Sequence, residues 1–187
     1  KEKLTKLNII RFGTSGSLQA DIPVDSFVAS THGLGLDNLL NFYSYQKTTD
    51  NKAMADAFIE QTKLDTSVTI PYAFSGSEML LNKFGEGFHK GITVTCPGFF
   101  GPQGRVLRLG LSSPGLVEKL THFNFNNHRI TNFEMETSAI YGLGKLMGHE
   151  CLSINVIIAN RVIKEFSKDS EAAVENMIRK ALEALTS

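Results

Sequence analysis

The stretch ITNFEMETSAIYGLG, Ile130–Gly144, changes its period half-way along. Ile130–Glu134 reads as the end of a strand, and Glu136–Met147 as a helix stopped by Gly148. Between them stand two carboxylates, Glu134 and Glu136, separated by Met135. A charge brought close to a core is costly unless it is paired, so two at the mouth of one helix call for a reason.

The same strand-then-helix rhythm extends in both directions. Upstream, Leu7–Phe12 (LNIIRF) is an apolar run of the kind that suits a strand buried on both faces, broken by Gly13-Thr-Ser-Gly16. A second short run, Ser26–Ser30, follows Pro23. Residues 51–64 place Met54, Ala57, Phe58 and, more loosely, Leu64 at helical spacing, and Glu78–Leu81 reads as another helix ending before Gly85. Gly91–Cys96 (GITVTC) is a β-branched strand, succeeded by the breaker-rich loop PGFFGPQGR and a short helix at Leu116–Leu120. Downstream, Ser153–Ala159 (SINVIIA) is a strongly apolar strand, and Asp169–Leu185 an amphipathic helix that Asp169 or Ser170 can cap. The alternation predicts an α/β protein, a mixed central sheet flanked by helices, formed as a single domain over residues 1–187. The charged opening KEKLTK runs straight into a core-type strand, as in a chain that starts mid-domain.

Bulk composition narrows the function classes. Lys+Arg and Asp+Glu balance at 19 each, which argues against nucleic acid or an anionic membrane as partner. No apolar run approaches the roughly 20 residues of a membrane-spanning helix. Cys96 and Cys151 lie beside apolar runs without metal-ligand spacing, which reads as buried thiols in a reducing, cytoplasmic setting. The five histidines (His32, His89, His122, His128 and His149) show no spacing that suggests a metal site or general base.

In open α/β sheets, ligands gather beyond the carboxyl ends of strands, and three strand ends here carry unusual polar residues. Arg11 interrupts an apolar strand and needs an anionic partner, either a protein carboxylate or a bound anion. The Gly13–Gly16 turn expected beside it offers N–H groups and the hydroxyls of Thr14 and Ser15 to a phosphate; an ordinary turn after a structural ion pair explains it equally well. In the loop Pro97–Arg105, aromatic Phe99 and Phe100 precede Gln103 and Arg105, a donor–acceptor amide and a donor-only guanidinium that fit the edge of a carbonyl-bearing heterocycle. A plain surface loop accounts for its glycines and prolines as well. If the chain stays extended through Glu136, Glu134 and Glu136 share a face and can accept from vicinal sugar hydroxyls. Otherwise Glu136 is a first-turn helix charge and Glu134 its solvated neighbour. Taken jointly, the three ends describe phosphate, nucleobase and ribose.

RFGTSGSLQADIP, GPQGR, NFEMETSAIYGLG and IIANR, in that order, resemble the nucleoside phosphorylase family and within it the uridine phosphorylases, over nearly the whole chain. The resemblance implies that Arg11 and Thr14 contact phosphate, with Thr14 also near the ribose. It implies that Glu134, Met135 and Glu136 bind ribose, Glu136 on the 2′ and 3′ hydroxyls. Gln103 and Arg105 would read the uracil edge, Phe99 would pack on base or sugar, and Arg161 would lie near the base. Arg105, Gln103 and Arg11 are the implied catalytic residues. Purine-specific relatives carry an aspartate after the last strand, where this chain has Ile158-Ala-Asn-Arg161. The family's opening strands, first glycine/arginine phosphate loop and subunit-donated arginine have no counterpart, as in the C-terminal portion of the family's domain or a degenerate copy.

The implied activity is phosphorolysis of uridine to uracil and ribose 1-phosphate, with phosphate as co-substrate, no cofactor and no metal. The implied assembly is a homodimer or a hexamer of dimers. Purine phosphorolysis, a water-using nucleosidase and a non-catalytic nucleoside-binding module are the alternatives.

Overall fold

The computed structural model describes residues 5–186; most of the charged opening KEKLTK, from Lys1 to Leu4, lies outside the described residues, as does Ser187. The apolar run SINVIIA forms the middle of β7 (Glu150–Asn160), buried along nearly its whole length. β1 (Asn8–Ser17) runs parallel to it from Asn8 opposite Glu150 to Ser17 opposite Asn160, with one irregularity between Ser15 and Gly16. Gly13–Gly16, expected as a turn, is therefore part of the strand. β7 offers a ladder partner at each position, and satisfied backbone groups win over the local turn preference of glycine and serine. The turn of free N–H groups expected to cradle a phosphate is not formed.

β2 (Phe27–Gly35) pairs in parallel with β4 (Phe88–Thr95), and β4 in parallel with β6 (His128–Glu134). β6 meets β1 antiparallel at Gly16–Phe133 and Ser17–Asn132, while β7 returns antiparallel to β2 at Phe27–Val156 through Ala29–Ile154. The sheet is mixed, as expected, but it also closes on itself in the order β2-β4-β6-β1-β7. Three short strands hang outside the ring: β3 (Tyr72–Ser75) on β2, β5 (Asn124–Phe125) on β6 and β8 (Glu165–Phe166) on β7. β2 runs on to Gly35, well past the run ending at Ser30, and carries β3 there; no apolar pattern in Thr31-His-Gly33 announces that extension.

Helices cover the outside of the ring. α1 (Thr49–Thr62) starts where Thr48 Oγ1 accepts the Asn51 N–H at 3.3 Å, and it buries Met54 and Phe58 in a core shared with Leu120 of α3 (Leu116–His122). α5 (Ser170–Thr186) is capped by Asp169, which accepts from the Ala172 N–H at 3.0 Å. Its Ala173, Met177 and Ala181, one per helical turn, pack on Ile154 and Val156 together with Leu80 of α2 (Glu78–Leu81). α4 (Thr137–Leu146) lies so close to β2 that a Cβ on Gly33 would come within 2.7 Å of the Ser138 Cα. Both cysteines are buried, and none of the described helices is long and apolar enough to cross a membrane.

Two histidines far apart in sequence meet: the rings of His32 and His128 stand edge to face with centroids 4.9 Å apart. Burial first, and the His128 charge second, lower the pKa of His32 from 6.5 to about 4. Between those values the unfolded chain takes up a proton that folded His32 refuses, so stability falls as pH falls through that window. His32→Gln is expected to flatten the fall in melting temperature between pH 6.5 and 4; parallel profiles for variant and parent would remove His32 as its source. Gly33→Ala, whose methyl meets helix backbone, is expected to cost about 1–3 kcal/mol in urea unfolding.

Candidate active site

The site is built where β6 passes into α4. Arg11 projects from β1, its guanidinium folded back over Gly13, where a Cβ would collide with it. One edge of the guanidinium faces the protein: Nη1 donates to Asn155 Oδ1 at 2.7 Å and to Ser153 Oγ at 3.3 Å, both on β7. The other edge faces carboxylates: Nη2 lies 2.5 Å from Glu136 Oε2 and 3.3 Å from Glu134 Oε2. Of the two partners expected for Arg11, a protein carboxylate is the one in place.

The two glutamates are not equivalent. Glu134 is buried, and its oxygens accept from Thr95 Oγ1 at 2.8 Å and from the backbone N–H groups of Glu136 and Thr137, both at 2.9 Å. It serves the open N-terminus of α4, where the N-cap residue Glu136 makes no side-chain cap bond. Burial pushes the Glu134 carboxyl up, against the opposing pull of Arg11. The expected pair of free acceptors is thus reduced to one, because the helix start consumes the oxygens of Glu134. Glu136, with a side chain 53% exposed, is the accessible carboxylate, and Met135 beside it is also exposed. The reading of Glu134 as a solvated neighbour fails for the same reason.

The second group of residues lies on the loop after β4. A short 3-10 turn, Gly101–Gln103, buries the Gln103 side chain. Arg105 Nη1 donates to Gln103 Oε1 at 2.7 Å and to the Phe99 carbonyl at 2.5 Å, and its guanidinium sits 3.6 Å over the Phe99 ring. Arg161, just beyond β7, donates to the Gln103 carbonyl at 3.2 Å and lies 5.4 Å from the centre of the Phe133 ring. Burial disfavours the charge on both arginines, and for Arg105 the nearby Arg161 adds to it.

Phe99, Gln103, Arg105 and Arg161 are thereby assembled, as are Arg11, Glu134 and Glu136. No hydrogen bond joins the two groups among the described residues. They adjoin at β6, where Phe133 meets Arg161 and the next residue, Glu134, meets Arg11. Buried Cys96, whose thiol is raised to about 12 chiefly by burial, feels both Glu134 and Arg105. Thr14 is exposed on β1, and none of the bonds that hold Arg11 passes through it. A groove of about 940 Å³ opens beside the same loop, lined in part by Leu36, Phe100, Arg105 and Leu109. It shares Arg105 with the site but none of Arg11, Glu134 or Glu136, so the chemistry rather than this groove locates the site.

Three residues that hold these groups were not singled out in the sequence: Thr95, Ser153 and Asn155. Ser153 and Asn155 stand two apart in an otherwise apolar strand, and that alternation was a readable signal that one face of β7 is polar.

A family model of the phosphorylase superfamily matches residues 3–186. The chain belongs to the phosphorylase superfamily. It is 25% identical over 178 residues to a uridine phosphorylase of Thermococcus kodakarensis, covering 94% of this chain and 57% of that protein. The fold is similar to a Trypanosoma brucei nucleoside phosphorylase described as showing uridine phosphorylase activity, with a TM-score of 0.82 and 28% identity over 96% of this chain and 63% of that one. A uridine phosphorylase of Phytophthora capsici shares the fold at a TM-score of 0.61 and 19% identity, over 97% and 66% of the two chains. The chain therefore spans about three fifths of the length of the first two relatives.

The unequal burial of the glutamates yields an expected contrast. Glu134→Gln turns an amide group toward backbone N–H donors and should cost about 1–3 kcal/mol in denaturant unfolding. Glu136→Gln, at an exposed position, should stay within about 0.5 kcal/mol. Equal losses in the two variants would contradict the division of roles.

Proposed function

We propose that this chain carries the nucleoside site of a uridine phosphorylase-like pentosyltransferase, which cleaves uridine with phosphate to uracil and ribose 1-phosphate. One observation carries the reading: the site is electrically polarised. Glu134 and Glu136 crowd one end around a single arginine. At the other end, among the described residues, Arg105 and Arg161 bond only neutral oxygens, those of Phe99 and Gln103. Cleavage of a glycosidic bond leaves positive charge on the sugar and negative charge on the departing base, the same sense of separation.

In the proposed reaction, phosphate takes the place of Glu136 on Arg11 Nη2. Glu136, released, accepts from the ribose hydroxyls. A phosphate oxygen bonds the anomeric carbon while the carbon–nitrogen bond breaks, and the bonding pair moves into the uracil ring and its carbonyl oxygens. Arg105 and Gln103 receive that charge, Phe99 packs on the ring, and a proton from solvent completes uracil. Thr14, exposed three residues further along β1, is assigned to the phosphate and ribose. No cofactor enters this scheme.

A pyrimidine is favoured by Asn160. Its amide donates to the carbonyls of Gln19 and Ile22 at 2.8 and 2.9 Å and accepts from the N–H groups of Val162 and Ile163 at 2.9 and 3.1 Å. A side chain spent in this way has nothing left for a purine ring. The names of the T. kodakarensis and T. brucei relatives point in the same direction.

Uridine and inosine, each with and without phosphate, separate the possibilities in one assay. The expected result is phosphate-dependent release of uracil, with inosine the poorer substrate. Turnover without phosphate would indicate a nucleosidase, and uracil binding without turnover a binding module. Arg105→Ala should lower the turnover number by about 10²–10³ with little change in the KM for phosphate; unchanged turnover would refute the role of Arg105.

A further inference from the structure

Arg11 is held from behind by a continuous belt of hydrogen bonds, to which each strand of the closed ring contributes one side chain. Ser15 of β1 accepts from Asn132 of β6 at 2.9 Å, and Asn132 accepts from Thr93 of β4 at 2.8 Å. The Thr93 and Ser30 hydroxyls lie 2.6 Å apart, which brings in β2, and Ser30 accepts from Asn155 of β7 at 3.3 Å. Four of the five side chains are fully buried and the fifth, Ser15, is 6% exposed. The belt ends on the substrate side, at the bond from Arg11 Nη1 to Asn155 Oδ1.

We infer that Asn155 is a positioning residue: it fixes the rotation of the Arg11 guanidinium so that the Nη2 edge faces the anion position. The inference rests on the proposed role of Arg11 in binding phosphate, and it assigns the selection of that edge to Asn155. Ser30 and Ser153 both accept from the Asn155 Nδ2 group, each at 3.3 Å, so the amide can present only its oxygen to Arg11. That oxygen engages Nη1 alone. A guanidinium is planar, so fixing Nη1 also fixes the direction in which Nη2 points. A carboxylate at position 155 would fix it equally well but would compete with phosphate for its charge; the neutral amide does not.

Asn155→Leu, of similar volume, removes the acceptor, and Thr93→Val breaks the belt at a residue that does not touch Arg11. The 187-residue chain is titrated with inorganic phosphate and, separately, with uracil, and the guanidinium N–H signals of Arg11 are followed by nuclear magnetic resonance. In Asn155→Leu the phosphate Kd should rise about tenfold, as expected for a lost bond to a charged group, with the uracil Kd within about twofold of the parent. The resolved Arg11 signals of the parent should average together. Thr93→Val should lose melting temperature while keeping its phosphate Kd and resolved Arg11 signals.

An unchanged phosphate Kd in Asn155→Leu, or an equal rise in Thr93→Val, overturns the inference. If Asn155→Leu does not fold, Asn155→Ser, whose shorter side chain withdraws the oxygen from Arg11, takes its place with the same expected outcome. Failure of the underlying reading looks different: parent and Arg11→Ala would then have the same phosphate Kd, while the Arg11 signals of the parent would still depend on Asn155.

Discussion

The constraint on which the rest of this structure depends is the polar belt inside the closed sheet. Ser15, Asn132, Thr93, Ser30 and Asn155 are linked in the order in which their strands neighbour one another around the ring. A buried hydroxyl or amide without a partner costs about 1–3 kcal/mol, so each of these side chains penalises any arrangement that separates it from the next strand. A slip of one residue would turn a whole strand face over and remove its belt member from the interior. Apolar packing of the helices against the outside is more permissive, because Leu, Ile and Val tolerate small shifts that hydrogen bonds do not. The belt thus fixes strand register from within, and it does so on the face that carries Arg11 and Glu134.

The rest of the site follows from that face. Thr95, two residues beyond Thr93, directs its hydroxyl to Glu134, and its oxygen takes the Ser138 N–H at 2.8 Å. Glu134 in turn closes the first N–H groups of α4, and Gly33 lets that helix start lie directly on β2. One buried carboxylate therefore sets where α4 begins, and the start of α4 sets where Glu136 stands. Arg11 makes the arrangement tolerable, since a carboxylate taken out of water requires a compensating charge close by. Structure and prospective chemistry share these residues, but not atom for atom.

Much of this was legible in the sequence and some was not, for identifiable reasons. The strand–helix alternation, a helix over residues 51–64 (found at Thr49–Thr62), a cap at Asp169 or Ser170 (found at Asp169) and the stop at Gly148 follow from periodicity and local end chemistry, which act within a few residues. Closure of the sheet does not, because it depends on pairings between residues more than a hundred apart, such as Phe27 with Val156. Gly13–Gly16 was misread for the same cause: local turn preference is weaker than a distant strand offering a full set of partners. The two glutamates stand out in the sequence, yet their unequal burial and bonding depend on Thr95 and on the exact start of a helix, neither of which spacing reveals. Asn155 lies within a run that reads as a strongly apolar strand; its meaning appears only once Ser30 and Arg11 stand on either side of it.

The same logic explains how the Arg11–Glu136 pair is compatible with the proposed binding of phosphate. The Arg11 side chain is only 15% exposed, and a guanidinium so placed would be costly without an acceptor on each edge. Its Nη1 edge is met by buried neutral groups that cannot leave without breaking the belt. Its Nη2 edge is met partly by Glu136, which is half in water and can swing away while losing little solvation. In the proposed reaction, phosphate would exchange with this one exposed carboxylate and leave the interior untouched. On that proposal the fold itself keeps the arginine oriented and balanced, and binding would replace only the contact from Arg11 Nη2 to Glu136.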